Sequence, residues 1–145
     1  MGTRSLIAVV HGGVYKSIYC HWDGYPEGVG NTLVENYDSK DADALIKLGD
    51  LSSLKKYINP PTGVNHTFNH PVKDTCVFYG RDRGEDGVDY KSSLGFGEFL
   101  QLAENMGVDY IYVMRNEWMV APMFGEDKNK LVSVTKLLTT AKETV

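Results

Sequence analysis

The stretch TRSLIAVVHGGVYKSIYCHW, residues 3–22, decides the fold. Its first half, Thr3 to Val10, is rich in aliphatic and β-branched residues, and its second half, Val14 to Trp22, alternates. Between them His11, Gly12 and Gly13 supply turn chemistry, since glycine reaches positive φ without steric cost. The stretch predicts a β-hairpin. Side chains alternate along a strand, so Val14, Ile18, Cys20 and Trp22 share one face with Lys16. Tyr15, Ser17, Tyr19, His21 and Asp23 share the other. The first set is the expected core face; the second is expected to meet solvent, a helix or a ligand.

Working outward, DGYPEGVGN (residues 23–31) breaks the strand and opens a helix, with Pro26 in the first turn, where its missing N–H is not needed. Val29, Leu33 and Tyr37 recur at helical spacing. Asp38 or Ser39 can cap a second helix that buries Ala42, Leu45 and Ile46 and ends at Gly49. Asp50 can cap a third turn-like segment with Leu51, Leu54 and Ile58 buried. Residues 59–73 read as a polar loop, 75–79 as a strand, and 80–97 as an exposed excursion. Phe96, Phe99, Leu100 and Ala103 mark a short helix ending at Gly107. Residues 109–114 and 118–123 form a second hairpin whose Pro122 belongs at an edge or a strand end. From about Lys128, Leu131, Val134, Leu138 and Ala141 describe a final amphipathic helix. Hairpins near both ends predict one α+β domain over residues 1–145. Its expected form is a mainly antiparallel sheet of about five strands, packed against three to five helices on one face.

Composition narrows the function classes. The chain has 145 residues, 42% hydrophobic and 23% charged, with a net charge of -4. Without a Lys/Arg cluster it does not read as a binder of duplex nucleic acid. No apolar run approaches the roughly 18 residues that cross a bilayer, so no membrane partner is expected. Two cysteines make no disulfide scaffold, and Cys20 and Cys76 read as buried thiols in a reducing cytoplasm. Nine tyrosines and 15 glycines are the unusual feature, suited to an antiparallel sheet or to an aromatic ligand surface.

The densest motif, YCHWDGYPEGVG (residues 19–30), admits three readings. In the structural one, Trp22 anchors the hairpin to the helices, Asp23 makes a turn and the glycines serve tight backbone geometry. In the ligand reading, N–H groups around Gly28, Val29 and Gly30 hold an anion while Tyr19, Tyr25 or Trp22 stacks a ring. The catalytic reading is opposed by alternation: Cys20 and His21 point to opposite faces and cannot pair. Arg81 and Arg83 form a second candidate, either a phosphate clamp or a self-neutralising turn with Asp82 and Glu85. His66 and His70 stand four apart but lack the Glu of a helical zinc motif, and the nearby carboxylates miss calcium-loop spacing. No metal, cofactor or catalytic residue is expected. The candidate ligand-binding residues are Tyr19, His21, Asp23, Tyr25, Gly28, Gly30, Arg81 and Arg83.

Five segments together resemble a family of small phage and prophage proteins without an assigned activity. They are MGTRS (1–5), the 19–30 motif, LIKLGDLSSL (45–54), FYGRDRGE (78–85), and the Tyr110–Tyr112 strand followed by Trp118. The resemblance implies a phage setting and the host-cell cytoplasm, and it carries over no catalytic residue. Together the readings describe a non-enzymatic binding protein used in host takeover or counter-defence. Its expected partner is a nucleotide-like small molecule or a host or defence protein. A small phosphoester or nucleotide hydrolase, with His21 or Asp23 as base, and an inhibitor acting by direct protein contact stay open as alternatives. So does a homo-oligomer.

Overall fold

The structure is a computed structural model and describes residues 2–143. β1 (Ser5–His11) and β2 (Val14–Cys20) form the expected hairpin. Their register runs from Ser5 opposite Cys20 to His11 opposite Val14. Gly12 and Gly13 carry φ of +58° and +80°, the left-handed pair whose twist matches the flanking strands. After β2, one π-helical turn over Pro26–Gly30 runs into α1 (Asn31–Asn36), followed by α2 (Ser39–Lys47) and β3 (Leu51–Ser53). Next come β4 (Val77–Phe78), α3 (Tyr79–Arg83), β5 (Lys91–Leu94) and α4 (Gly95–Met106). The second hairpin, β6 (Tyr110–Met114) and β7 (Trp118–Pro122), precedes β8 (Val132–Ser133) and α5 (Val134–Glu143).

The fold is mixed α and β, as the sequence predicts, but the described sheet has eight strands instead of about five. Their order is β4-β3-β2-β1-β6-β7-β8, with β5 also on β2. The three additional strands, β3, β5 and β8, are two to four residues long and lack apolar alternation. Two pairings, β1 with β6 and β2 with β3, are parallel within an otherwise antiparallel sheet.

The sheet is covered on both faces, a correction to the one-sided expectation. Ile7, Val9, Ile18, Cys20 and Tyr112 face the Pro26–Gly30 turn, α1, α2 and α5 through Val29, Leu33, Leu45, Ile46 and Val134. Leu6, Ala8, Tyr15, Ile111 and Val113 face α4 through Phe99 and Ala103. Tyr15 is therefore a core residue, stacked on Phe99 at 5.1 Å between ring centroids. β1 is apolar at consecutive positions because both its faces are buried. Trp22 departs from its expected core position: it lies 43% exposed, packed over the backbone of Gly2.

Local chemistry fixes the element ends. Asp38 caps α2 by accepting from the Asp41 N–H at 2.9 Å, and Asp41 returns the bond to the Asp38 N–H. Gly49 at φ +84° and Gly107 at φ +68° end α2 and α4. The edge of β2 is shared, with Val14 to Ser17 on β5 and Cys20 on β3. The Tyr19 N–H between the two segments is met by the buried Asp50 carboxylate at 2.9 Å.

Candidate functional site

On the α4 side of the sheet Tyr19 lies half-buried at the margin of the cluster that α4 packs on, next to β3 and β4. The register that sets Ser5 opposite Cys20 continues to place Arg4 opposite His21, on the same face as Tyr19. The Tyr19 hydroxyl and His21 Nδ1 are 2.8 Å apart, and the Arg4 guanidinium lies against the Tyr19 phenol. Burial raises the Tyr19 pKa, partly offset by Arg4, and the neighbouring Tyr79 adds to the rise. Tyr79 is in turn raised by burial and lowered by Ser52 and Arg83. The Arg83 guanidinium sits 4.5 Å from the Phe68 ring centroid and 5.2 Å from that of Tyr79. Trp22 closes one border, edge-on to His21 at 4.6 Å. Half-buried phenols, an imidazole and two guanidinium groups thus lie near one another in one patch of partly exposed positions.

The sequence candidates separate in space. Tyr19, His21 and Arg83 belong to this patch. Arg81 faces elsewhere: its two Nη atoms donate to the Ile58 and Cys76 carbonyls and to Asn59 Oδ1, and with Nε it forks onto Asp82. All five of its N–H groups are engaged, so it is a strut for the 59–73 loop. The buried His66 completes that strut, with Nδ1 accepting from the Val72 N–H at 2.9 Å and Nε2 donating to the Cys76 carbonyl at 3.0 Å. Burial pushes the Asp82 carboxyl up, but Arg81, the Phe78 N–H and His66 outweigh it, and its pKa lies below the ordinary value.

Asp23, Tyr25, Gly28 and Gly30 build the turn that follows β2. Asp23 takes φ +58°, tolerated by its short polar side chain, and its carboxylate accepts from the Tyr25 hydroxyl at 3.2 Å. The Gly28 N–H donates to the Tyr25 carbonyl and the Val29 N–H to the Asp23 carbonyl. The Tyr112 hydroxyl donates to the Gly24 carbonyl at 2.7 Å, and its ring lies against Gly30. The Gly28 and Val29 amides are occupied, and the glycines serve close approach: a Cβ on Gly28 would stand 2.4 Å from the Asp23 carbonyl oxygen.

Cys20 is fully buried, and burial pushes its thiol up to about 12, which makes it a packing residue and not a nucleophile. Arg4, Phe68, Ser52 and Tyr79 are the patch members that residue-by-residue reading missed. The signal for Arg4 was present in the hairpin register; the others reach the patch through tertiary contacts. Among the described residues, no group of three or more His, Cys, Asp or Glu side chains is placed to hold a metal ion, and no helix is long and apolar enough to cross a membrane. Comparison with protein-family models, with curated proteins and with solved structures finds no match to this chain.

Proposed function

We propose that this chain is a non-enzymatic binding protein that captures a nucleotide-type small molecule on the patch formed by Arg4, Tyr19, His21, Tyr79 and Arg83. The observation that carries the reading is the pairing of two guanidinium groups with tilted aromatic rings at partly exposed positions. A base has Tyr79, Phe68 or Trp22 to stack on, a contact worth roughly 1–3 kcal/mol. A phosphate has Arg4, with His21 beside it, for charge-assisted hydrogen bonds. Arg83 is held by Glu85 at 2.8 Å, but both side chains are more than a third exposed, and such a pair yields easily to a phosphate. The family resemblance supplies the setting, a phage protein in the host cytoplasm acting in takeover or counter-defence.

One contact favours a second reading, a phosphoester hydrolase: the hydrogen bond between Tyr19 and His21 Nδ1 orients the imidazole, and Nε2 has no hydrogen-bond partner among the described residues. A single experiment separates the two. Native mass spectrometry of protein isolated from cells, with titration calorimetry against nucleoside mono- and diphosphates, is expected to show a retained nucleotide recovered chemically unaltered. Arg4→Ala and Arg83→Ala should each weaken binding by roughly tenfold, the size of one lost charge-assisted contact. A nucleotide returned as hydrolysed product favours the enzyme. Affinity indifferent to both arginines overturns the site.

A further inference from the structure

The opposite face of the sheet carries a second feature. A cleft of about 480 Å³ opens between the Pro26–Gly30 turn, β7, β8 and α5. Three large apolar side chains converge on it while exposed to solvent: Phe124 at 53%, Val132 at 45% and Leu137 at 39%. Isolated exposed apolar residues are ordinary, but a converging group in a concave site of ligand size is not. Tyr110 and Phe124 meet there with ring centroids 5.5 Å apart and planes at 82°, forming an aromatic corner. Glu27, Asp127 and Lys130 are the charged groups at its border. Glu27 faces the Tyr110 phenol closely enough that its charge, after burial, helps to raise the phenol pKa.

We propose that this cleft binds an alkylammonium ligand, with its cationic head in the Tyr110–Phe124 corner beside Glu27 and Asp127 and its apolar body against Val132 and Leu137. Aromatic faces carry the negative side of the ring quadrupole, and perpendicular walls with nearby carboxylates are the arrangement that holds a quaternary ammonium. Two carboxylates against one ammonium, Lys130, leave the border net negative. An anionic head would meet repulsion from both the ring faces and the carboxylates. An alkyl chain supplies the apolar contact that water cannot.

Calorimetry with hexyltrimethylammonium, hexyl sulfate and hexanol on the full chain tests the assignment. The ammonium should bind about fivefold or more tightly than either comparison ligand, the scale of one cation–π contact. Phe124→Ala, at an exposed position, should keep the parent melting temperature and lose about that factor. The double variant Glu27→Gln/Asp127→Asn should weaken the ammonium and narrow its advantage over the sulfate. Equal or tighter binding of hexyl sulfate or hexanol, no binding of the ammonium, or an unchanged affinity in Phe124→Ala overturns the proposal. The Arg4 and Arg83 variants lie across the sheet and should leave this binding untouched, so the two sites fail or stand separately.

Discussion

Two arginines two positions apart in α3 should behave in opposite ways. The Arg81 side chain is 24% exposed and forks onto Asp82, whose side chain is 3% exposed. Arg81→Ala leaves that carboxylate with only the Phe78 N–H and His66 as partners, and strips a donor from the Ile58 and Cys76 carbonyls. Bonds to charged groups are worth about 1.5–3 kcal/mol, and a neutral carbonyl partner adds about 1. The Cys76 carbonyl keeps His66 and the exposed Asn59 finds water, so the loss sums to roughly 2–4 kcal/mol. For a domain of this size that is a fall of roughly 6–12 °C in melting temperature. Arg83 pairs with Glu85 at 49% and 37% side-chain exposure, a contact worth well under 1 kcal/mol after solvent screening. Arg83→Ala should therefore melt within about 3 °C of the parent protein while losing nucleotide affinity. Arg81→Lys, which keeps the charge without the fork, should recover less than half of the Arg81→Ala loss. Circular-dichroism melts of the three variants decide the matter. An Arg81→Ala protein that melts like the parent, or an Arg83→Ala protein that melts lower than Arg81→Ala, refutes the division of labour.

The two buried carboxylates should give stability profiles of opposite sign with pH. Asp82 has a lowered pKa, so its contribution is present above the unfolded value near 4 and is lost as pH falls through the folded one. Asp82→Asn should cost about 2 kcal/mol at pH 7, with the gap closing in acid. Asp50 is raised by burial, so its contribution is full below the unfolded value and is lost as pH rises through the folded one. Asp50→Asn keeps an acceptor for the Tyr19 N–H; it should match or exceed the parent at pH 7 and lose that advantage near pH 4, as denaturant titrations at both pH values will show. Gly28→Ala pushes a methyl into the Asp23 carbonyl and should cost about 1–3 kcal/mol, read in the same denaturant titrations. Cys20 should resist iodoacetamide in the folded protein at pH 8 and react on unfolding, with mass spectrometry reading the adduct.

Much of the frame was legible because period and turn chemistry agreed. The Gly12–Gly13 turn pins the first hairpin and its register, the Asp38 cap and Gly49 stop delimit α2, and Gly107 ends α4. β5 was illegible because Lys91-Ser-Ser-Leu94 offers no alternating face, and it pairs only where β2 supplies a free edge. β3, Leu51-Ser-Ser53, has a single apolar residue whose spacing to Leu54 also suits a helical turn, and β8 continues without a break into α5. Trp22 was misplaced for a related reason. Alternation assigns it the side of Cys20, but β2 ends at Cys20 and the chain turns after His21, so the rule no longer applies at Trp22.

The same limit explains how one motif serves two purposes. While alternation holds, residues 19–21 are divided by the sheet: Cys20 goes to the core, and Tyr19 and His21 go to the other face. Once the strand ends, Asp23 to Gly30 forms a tight, self-bonded turn whose Gly28 and Val29 amides are spent on the Tyr25 and Asp23 carbonyls. A contiguous motif therefore need not make a contiguous site. The turn follows the end of β2, where Tyr19 and His21 sit at the margin of the α4 cluster with Tyr79 and Arg83 from distant sequence near them. The glycines act on the patch only through position. Substitution at Gly28 should thus disturb ligand binding in proportion to the fold it loses, while Tyr79→Ala should weaken binding in a protein that melts close to the parent.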